Sequence, residues 1–229
     1  MDTYTHQNDF SDLFSDTKPD SSEDILKWKH PFTCIVAGPS GSGKTNFVLT
    51  LLEHSNYMFT QTPQIMNWYY GEFQKWMIKP KYSGIQFIEG LPSDINVDHQ
   101  KVNVFVIDDL MHETNETIAK LFTKGSHHKN ISVILLTQNI FHQNKHARSI
   151  NLNAHYMILF KNVRDASQIT NLAKQMYPGN LGYMRDSYMD ATSKPFGYLM
   201  IDLKPDTPEL LRLRTDIFPG QIHYMYHKI

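Results

Sequence analysis

Gly38-Pro39-Ser40-Gly41-Ser42-Gly43-Lys44-Thr45 stands between the apolar run Thr33-Cys34-Ile35-Val36-Ala37 and the segment Asn46-Phe47-Val48-Leu49-Thr50-Leu51-Leu52. The order reads strand, glycine-rich loop, helix. Glycines at 38, 41 and 43 let the backbone wrap so that successive N–H groups face one anion, and the positive end of the following helix adds to that field. The spacing G-x-x-x-x-G-K-T would arise in roughly one random chain in a hundred of this length. Its context removes the bland alternative, a glycine-rich turn. Phe47, Val48, Leu51 and Leu52 repeat at helical spacing directly after the loop, and an apolar strand directly precedes it.

This cradle assigns Gly38, Ser40, Gly41, Ser42, Gly43, Lys44 and Thr45 to the phosphates of ATP. Lys44 reaches the β- and γ-phosphates as a point charge, and the Thr45 hydroxyl takes one position on Mg²⁺, which keeps several waters. Working outward, Val102 to Ile107 is a second apolar strand running into Asp108-Asp109. Asp108 is expected to hold Mg²⁺ directly or through water, and Asp109 to polarise the water that attacks the γ-phosphate. The plainer alternative is that the pair caps the helical segment from Glu113 to Lys124. Aspartate is one methylene shorter than the glutamate common at the second position, so Asp109 must approach more closely. A third apolar strand, Ile131 to Gln138, places Gln138 at a strand end, where open α/β sheets bind ligands. Gln138 is therefore read as a γ-phosphate sensor. The fold expected is α/β, a P-loop NTPase with a mostly parallel central sheet flanked by helices and an additional strand between the Walker A and Walker B strands.

The other elements follow from periodicity and turn chemistry. Gln64 to Tyr70, Ile85 to Ile88, Ala154 to Phe160, Phe196 to Leu203 and Leu210 to Ile217 read as strands. A short helical piece lies near Glu72 to Met77, and a longer helix from Asp165 to about Tyr177 has Ile169, Leu172, Ala173 and Met176 on one face. Tyr224 and Tyr226 are expected in the core or an interface.

Length and charge bound the rest. With 229 residues the chain suits one domain, residues 25–229, preceded by a flexible arm over residues 1–24. That arm holds six aspartates and Glu23 against Lys18, with Phe10, Leu13 and Phe14 spaced to dock on a neighbour. The net charge of -1 conceals an asymmetry. From Thr117 to Arg164 there is no acidic residue, while Lys120, Lys124, Lys129, Lys145, Arg148, Lys161 and Arg164 supply seven positive charges. Such a surface suits phosphates, of a DNA backbone or of a neighbour's nucleotide; a solvated face balanced by the acidic arm is the alternative. The interspersed histidines lack cysteine or carboxylate company for a metal site. Cys34 alone permits no internal disulfide and is expected to be a buried thiol. A polar opening without leader character, and no run of about 18 apolar residues, point to an intracellular protein without a membrane span.

His30-Pro31-Phe32, GPSGSGKT (38–45), VFVIDDLM (104–111), SHHKNISVILLTQN (126–139), RSINLNAHYMILFKNVRD (148–165) and PELLRLRTDIFP (208–219) together resemble genome-packaging ATPases of the FtsK/HerA superfamily. The nearest likeness is to those of Polinton/Maverick elements, adintoviruses and related eukaryotic double-stranded DNA viruses. The resemblance runs from His30 to Pro219. It implies an ATPase that translocates double-stranded DNA without reading sequence, as a ring of five or six subunits, into a preformed capsid. It further implies a capsid or portal partner and action in the host nucleus or cytoplasm, or association with the virion. A HerA-like helicase in replication shares these residues; an ATP-switched adaptor and a nucleotide kinase are more distant alternatives, the last lacking a lid with clustered arginines. Such motors often carry a trans-acting arginine ahead of the sensor strand, where this chain has Lys124, His127, His128 and Lys129. Either Lys124 substitutes, without the fork of a guanidinium, or the finger is Arg148, with Arg164 after it.

Overall fold

The computed structural model of the chain describes residues 24–91, 97–108, 110, 116–125, 130–141 and 146–228, with backbone alone for Asp24, Lys124 and Gly125. The acidic arm, apart from its last residue, lies outside the described residues, as do Asp109, His127, His128, Lys129 and Lys145.

Nine strands form one sheet: β1 (Thr33–Ala37), β2 (Ile65–Tyr70), β3 (Gln86–Glu89), β4 (Asn103–Asp108), β5 (Ile131–Thr137), β6 (Tyr156–Phe160), β7 (Tyr198–Asp202), β8 (Leu213–Thr215) and β9 (Tyr224–Tyr226). Their order is β3-β2-β4-β5-β1-β6-β7-β8-β9. The first six are mutually parallel, and β7, β8 and β9 continue antiparallel beyond β6. Every residue of β1, β5, β6 and β7 is buried. That is why these strands read as continuous apolar runs: a central strand covered on both faces has no solvent side to mark with polar residues.

The strand separating the two motif-bearing strands is β5, since Ile134 pairs with Cys34 on one side and Val106 on the other. It comes after both motifs in the chain. The strands that intervene in sequence, β2 and β3, lie outside β4 instead.

Alternation along the strands divides the core in two. Cys34, Val36, Val104, Val106, Ile134, Leu136 and Ile158 face α1 (Lys44–Glu53) and α2 (Ser55–Met58) through Phe47, Val48, Leu51, Leu52 and Met58. Ile35, Ala37, Phe105, Ile107, Val133, Leu135, Met157 and Leu159 face the opposite layer. That layer is built from α3 (Glu116–Lys120), a π turn (Leu121–Gly125), α4 (Ala147–Leu152), α5 (Ser167–Met176) and α6 (Leu181–Ala191). Each large apolar side chain buried this way contributes about 1.5–3 kcal/mol. Cys34 is buried, as expected, and burial raises its thiol pKa well above the ordinary value.

Several local expectations change. Of the helix expected over Glu113 to Lys124, residues 113–115 lie outside the described residues, Glu116–Lys120 is α, and the chain then widens into the π turn. No sequence signal pointed to α4 or α6. The buried face of α6 is Met184, Ser187, Tyr188 and Ala191, a helical spacing whose small and polar members hide it from an apolar pattern. Its start is fixed by the Asn180 side chain, which accepts from the Tyr183 N–H at 3.1 Å. The stretch from Leu210 to Ile217 divides into a 3₁₀ turn, Glu209–Leu211, and β8, and Tyr224 and Tyr226 form the edge strand β9.

Candidate functional site

The phosphate loop springs from the C-terminal end of β1, held at its start by the Gly38 N–H donating to the Thr137 carbonyl at 3.1 Å. A Cβ on Gly38 would stand 2.7 Å from the Ser42 Oγ and from the Phe160 Cβ, so a side chain there would fill the cradle. The helix α1 begins after Gly43, whose φ of 107° is a left-handed conformation, and no side chain caps it. Its first amides are therefore without the side-chain acceptor that helix starts commonly carry, an arrangement that fits a phosphate. Lys44 Nζ donates to the carbonyl oxygens of Gly38 at 2.7 Å and Pro39 at 3.0 Å, which holds the ammonium across the loop it follows.

Strand register brings the other residues to this loop. Val36, Leu136 and Asp108 occupy one row across β1, β5 and β4, so Asp108 lies two strands, about 10 Å, from β1. Asp108 has the parity of Val104 and Val106, and alternation therefore directs its carboxylate to the α1 face, where Lys44 and Thr45 begin the helix. The oxygens of Thr45 and Asp108 are hard donors of the kind Mg²⁺ takes, with water completing its shell. Among the described residues no group of three or more His, Cys, Asp or Glu could hold a metal by itself.

Gln138 is exposed just past the end of β5. The turn after it is tied down: Thr137 Oγ1 accepts from the Asn139 N–H at 3.1 Å and donates to the Asn139 carbonyl at 2.9 Å, while Asn139 Oδ1 accepts from Phe141 N–H at 2.8 Å. Gln138 lines a cleft open to solvent together with Gly38, Asn162, Asp165, Gln168 and Tyr188. From sequence, Asn162, Gln168 and Tyr188 have no role and Asp165 only that of a helix start. Gln168 Oε1 accepts from the Ile140 N–H at 3.0 Å, its Nε2 donates to Asp165 at 2.8 Å, and Ser167 Oγ also donates to Asp165. Hydrogen bonds from Ser167, then Gln168, lower the Asp165 pKa. The Tyr188 hydroxyl donates to the Phe160 carbonyl at 2.9 Å and accepts from the Asn162 N–H at 2.8 Å, and burial raises its pKa. The crevice argument that selected Gln138 after β5 applies equally to the polar run after β6 and could have found Asn162 and Asp165.

The loop, Lys44, Thr45, Asp108 and Gln138 thus converge at one end of the sheet. Arg148 lies apart from the loop residues in sequence and is exposed in the first turn of α4, a helix tied to the cleft by Asn151 Nδ2 donating to the Ile140 carbonyl at 2.6 Å. Arg164 and Lys161 are exposed between β6 and α5, and Lys120 is paired with Glu116 at 2.9 Å. The Lys124 side chain and Asp109 are outside the described residues. No helix among the described residues is long and apolar enough to cross a membrane.

A parallel sheet with a strand between those carrying the phosphate loop and Asp108, and helices on both faces, is the fold of a P-loop NTPase. No protein-family model matches the chain, and no curated protein matches it in sequence. Among solved structures it is similar to the genome packaging NTPase B204 from Sulfolobus turreted icosahedral virus 2. In complex with AMPPCP that protein is 13% identical, with a TM-score of 0.50 over 86% of this chain and 98% of the other. In complex with ATP-gammaS the values are 13%, 0.47, 87% and 98%. The cytoplasmic domain of EssC is 13% identical, with a TM-score of 0.43 over 86% of this chain and 39% of the other. At these identities the likeness is one of fold.

Proposed function

We propose that the chain is an ATP-hydrolysing motor that moves double-stranded DNA into a preformed viral capsid. The observation that carries this reading is the convergence of the phosphate loop, Asp108 on the α1 face and Gln138 at the end of the intervening strand. The sequence resemblance to FtsK/HerA packaging ATPases, those of Polinton/Maverick elements and adintoviruses above all, supplies the DNA and the capsid, and the fold shared with a viral packaging NTPase is consistent with it.

In this mechanism the backbone amides of the loop and Lys44 fix the triphosphate, and Asp109 takes the proton of the attacking water while Gln138 orients it. Thr45 and Asp108 would hold Mg²⁺, which when bound would supply neutralisation of the phosphate charge. Arg148 of a neighbouring subunit, with Lys124 as the substitute, stabilises the transferring phosphoryl group, so that turnover requires a ring of five or six copies. The basic residues between Lys120 and Arg164 grip the DNA backbone without reading sequence. A capsid or portal protein is the further partner, in the host nucleus or cytoplasm or at the virion.

The test is ATPase rate per subunit against protein concentration, with and without double-stranded DNA. The rate should climb with concentration and again with DNA, and vanish in Asp109→Asn. Arg148→Ala should retain nucleotide binding and lose turnover by about 10³- to 10⁵-fold. A rate per subunit flat in concentration and indifferent to DNA would sink the shared-site motor.

A further inference from the structure

The sheet order fixes which way a bound nucleotide runs. Asp108, expected to hold Mg²⁺, and Gln138, expected to sense the γ-phosphate, stand at the ends of β4 and β5 on one side of β1. The α-phosphate and the nucleoside must therefore leave the loop on the other side, toward β6 and β7. That side is aromatic. Phe160 at the end of β6 packs against Tyr198 at 5.8 Å and Phe47 at 6.1 Å between ring centroids, and Phe47 against Tyr198 at 4.7 Å. These rings are buried; Phe196 beside them is 67% exposed.

Phe196 is held there against its own preference. The Gly197 N–H donates to the Lys194 carbonyl at 3.0 Å, closing the turn Lys194-Pro195-Phe196-Gly197, with Phe196 at φ 62°. Proline second and a positive φ third make this a type II turn, in which glycine or asparagine ordinarily takes the third place. The next position has no room for a side chain, since a Cβ on Gly197 would stand 2.4 Å from the Ala191 carbonyl oxygen. The turn carries its phenyl ring to the rim of the phosphate loop, where a Cβ on Gly43 would meet Phe196 Cδ1 at 3.2 Å and Phe160 Cε1 at 3.4 Å. A strained backbone that presents an exposed ring beside a ligand loop points to a use for the ring.

We infer that Phe196 is the stacking platform for the base of the nucleotide whose phosphates occupy the loop. The inference rests on the nucleotide-binding reading of that loop and adds the residue that grips the nucleoside. An aromatic face favours a purine by stacking area and sets no hydrogen-bond pattern, so this contact confers affinity for the base rather than discrimination between adenine and guanine.

The test compares two probes on wild type, Phe196→Gly and Phe196→Trp: a non-hydrolysable ATP analogue and inorganic tripolyphosphate, which has no base. Glycine adopts the observed φ freely, so the turn survives the first substitution. Phe196→Gly should weaken the analogue about tenfold or more and leave tripolyphosphate unchanged, and Phe196→Trp should retain affinity for the analogue. Unchanged analogue affinity in Phe196→Gly, or equal losses for both probes, would overturn the platform while leaving the phosphate site standing. Wild type that binds neither probe would remove the nucleotide reading itself.

Discussion

The two ends of the sheet both carry charge, and they treat it in opposite ways. Where β1, β4 and β5 finish, Lys44 and Thr45 are half-buried, Asp108 is half-buried and Gln138 is exposed. Lys44 Nζ donates to two loop carbonyls. Toward the end where β1 and β6 begin, Asp202 pairs with Lys204 at 2.9 Å and with Arg214 at 3.7 Å, all three buried or nearly so. Lys204 Nζ also donates to the Tyr156 hydroxyl at 2.5 Å, and Trp28 stacks on that ring at 4.4 Å between centroids. Burial lowers the Lys204 pKa, against the pull of Asp202, and raises that of Tyr156. Charge at the loop end is left partly accessible, whereas charge at the other end is buried with its counter-charge.

The sharpest break of this contrast is Lys44→Ala. Turnover should fall by about 10²- to 10³-fold or more, because a preorganised cation at the developing charge is lost. The melting temperature should fall by far less than in a break of the buried ion cluster, since Lys44 and Pro39 are only half-buried. A large fall in melting temperature without loss of nucleotide binding would reverse the assignment of the two ends.

Asp202→Asn should do the reverse. It keeps an oxygen for the Lys204 N–H, which now donates to Asp202 Oδ1 at 3.1 Å, but leaves Lys204 and Arg214 without their buried counter-charge. Breaking a buried pair on one side costs about 3–5 kcal/mol. For a domain of this size that is a drop of roughly 6–20 °C in melting temperature, read by calorimetry. ATP-analogue affinity of the folded protein should remain at the wild-type value.

How legible each end was in the sequence follows from this difference. The site announces itself because its chemistry is local: Gly38 to Thr45 are contiguous, and Asp108 and Gln138 each follow an uninterrupted apolar strand. The buried ion cluster gives no such signal, because Asp202, Lys204, Arg214 and Tyr156 come from different strands and the loop after β7, and each resembles a surface residue in its own segment. The same holds for Phe196, which reads as the first residue of a strand until the turn's positive φ sets it apart from β7. Strand order was legible only in part. The apolar runs identify the central strands, but that β5 enters between β1 and β4 is decided by packing across the sheet, which no single segment encodes.

A smaller effect sharpens the contrast through pH. His223 stands beside Arg214, and its Nε2 has no hydrogen-bond partner among the described residues. Burial first, then Arg214, pushes its pKa down to about 4, and burial also lowers that of His30. An unfolded histidine titrates near 6.5, so as pH falls below that value the unfolded chain takes up the proton before the folded one does. Stability from this group is therefore full above about pH 6.5 and declines toward pH 4, by at most about 1.4 kcal/mol per pH unit. His223→Gln should flatten that part of the decline in urea unfolding measured between pH 7.5 and 5, leaving the His30 contribution. If the variant showed the wild-type slope, the antiparallel flank would tolerate an imidazolium beside Arg214, and its charges would be more accessible to water than its burial implies.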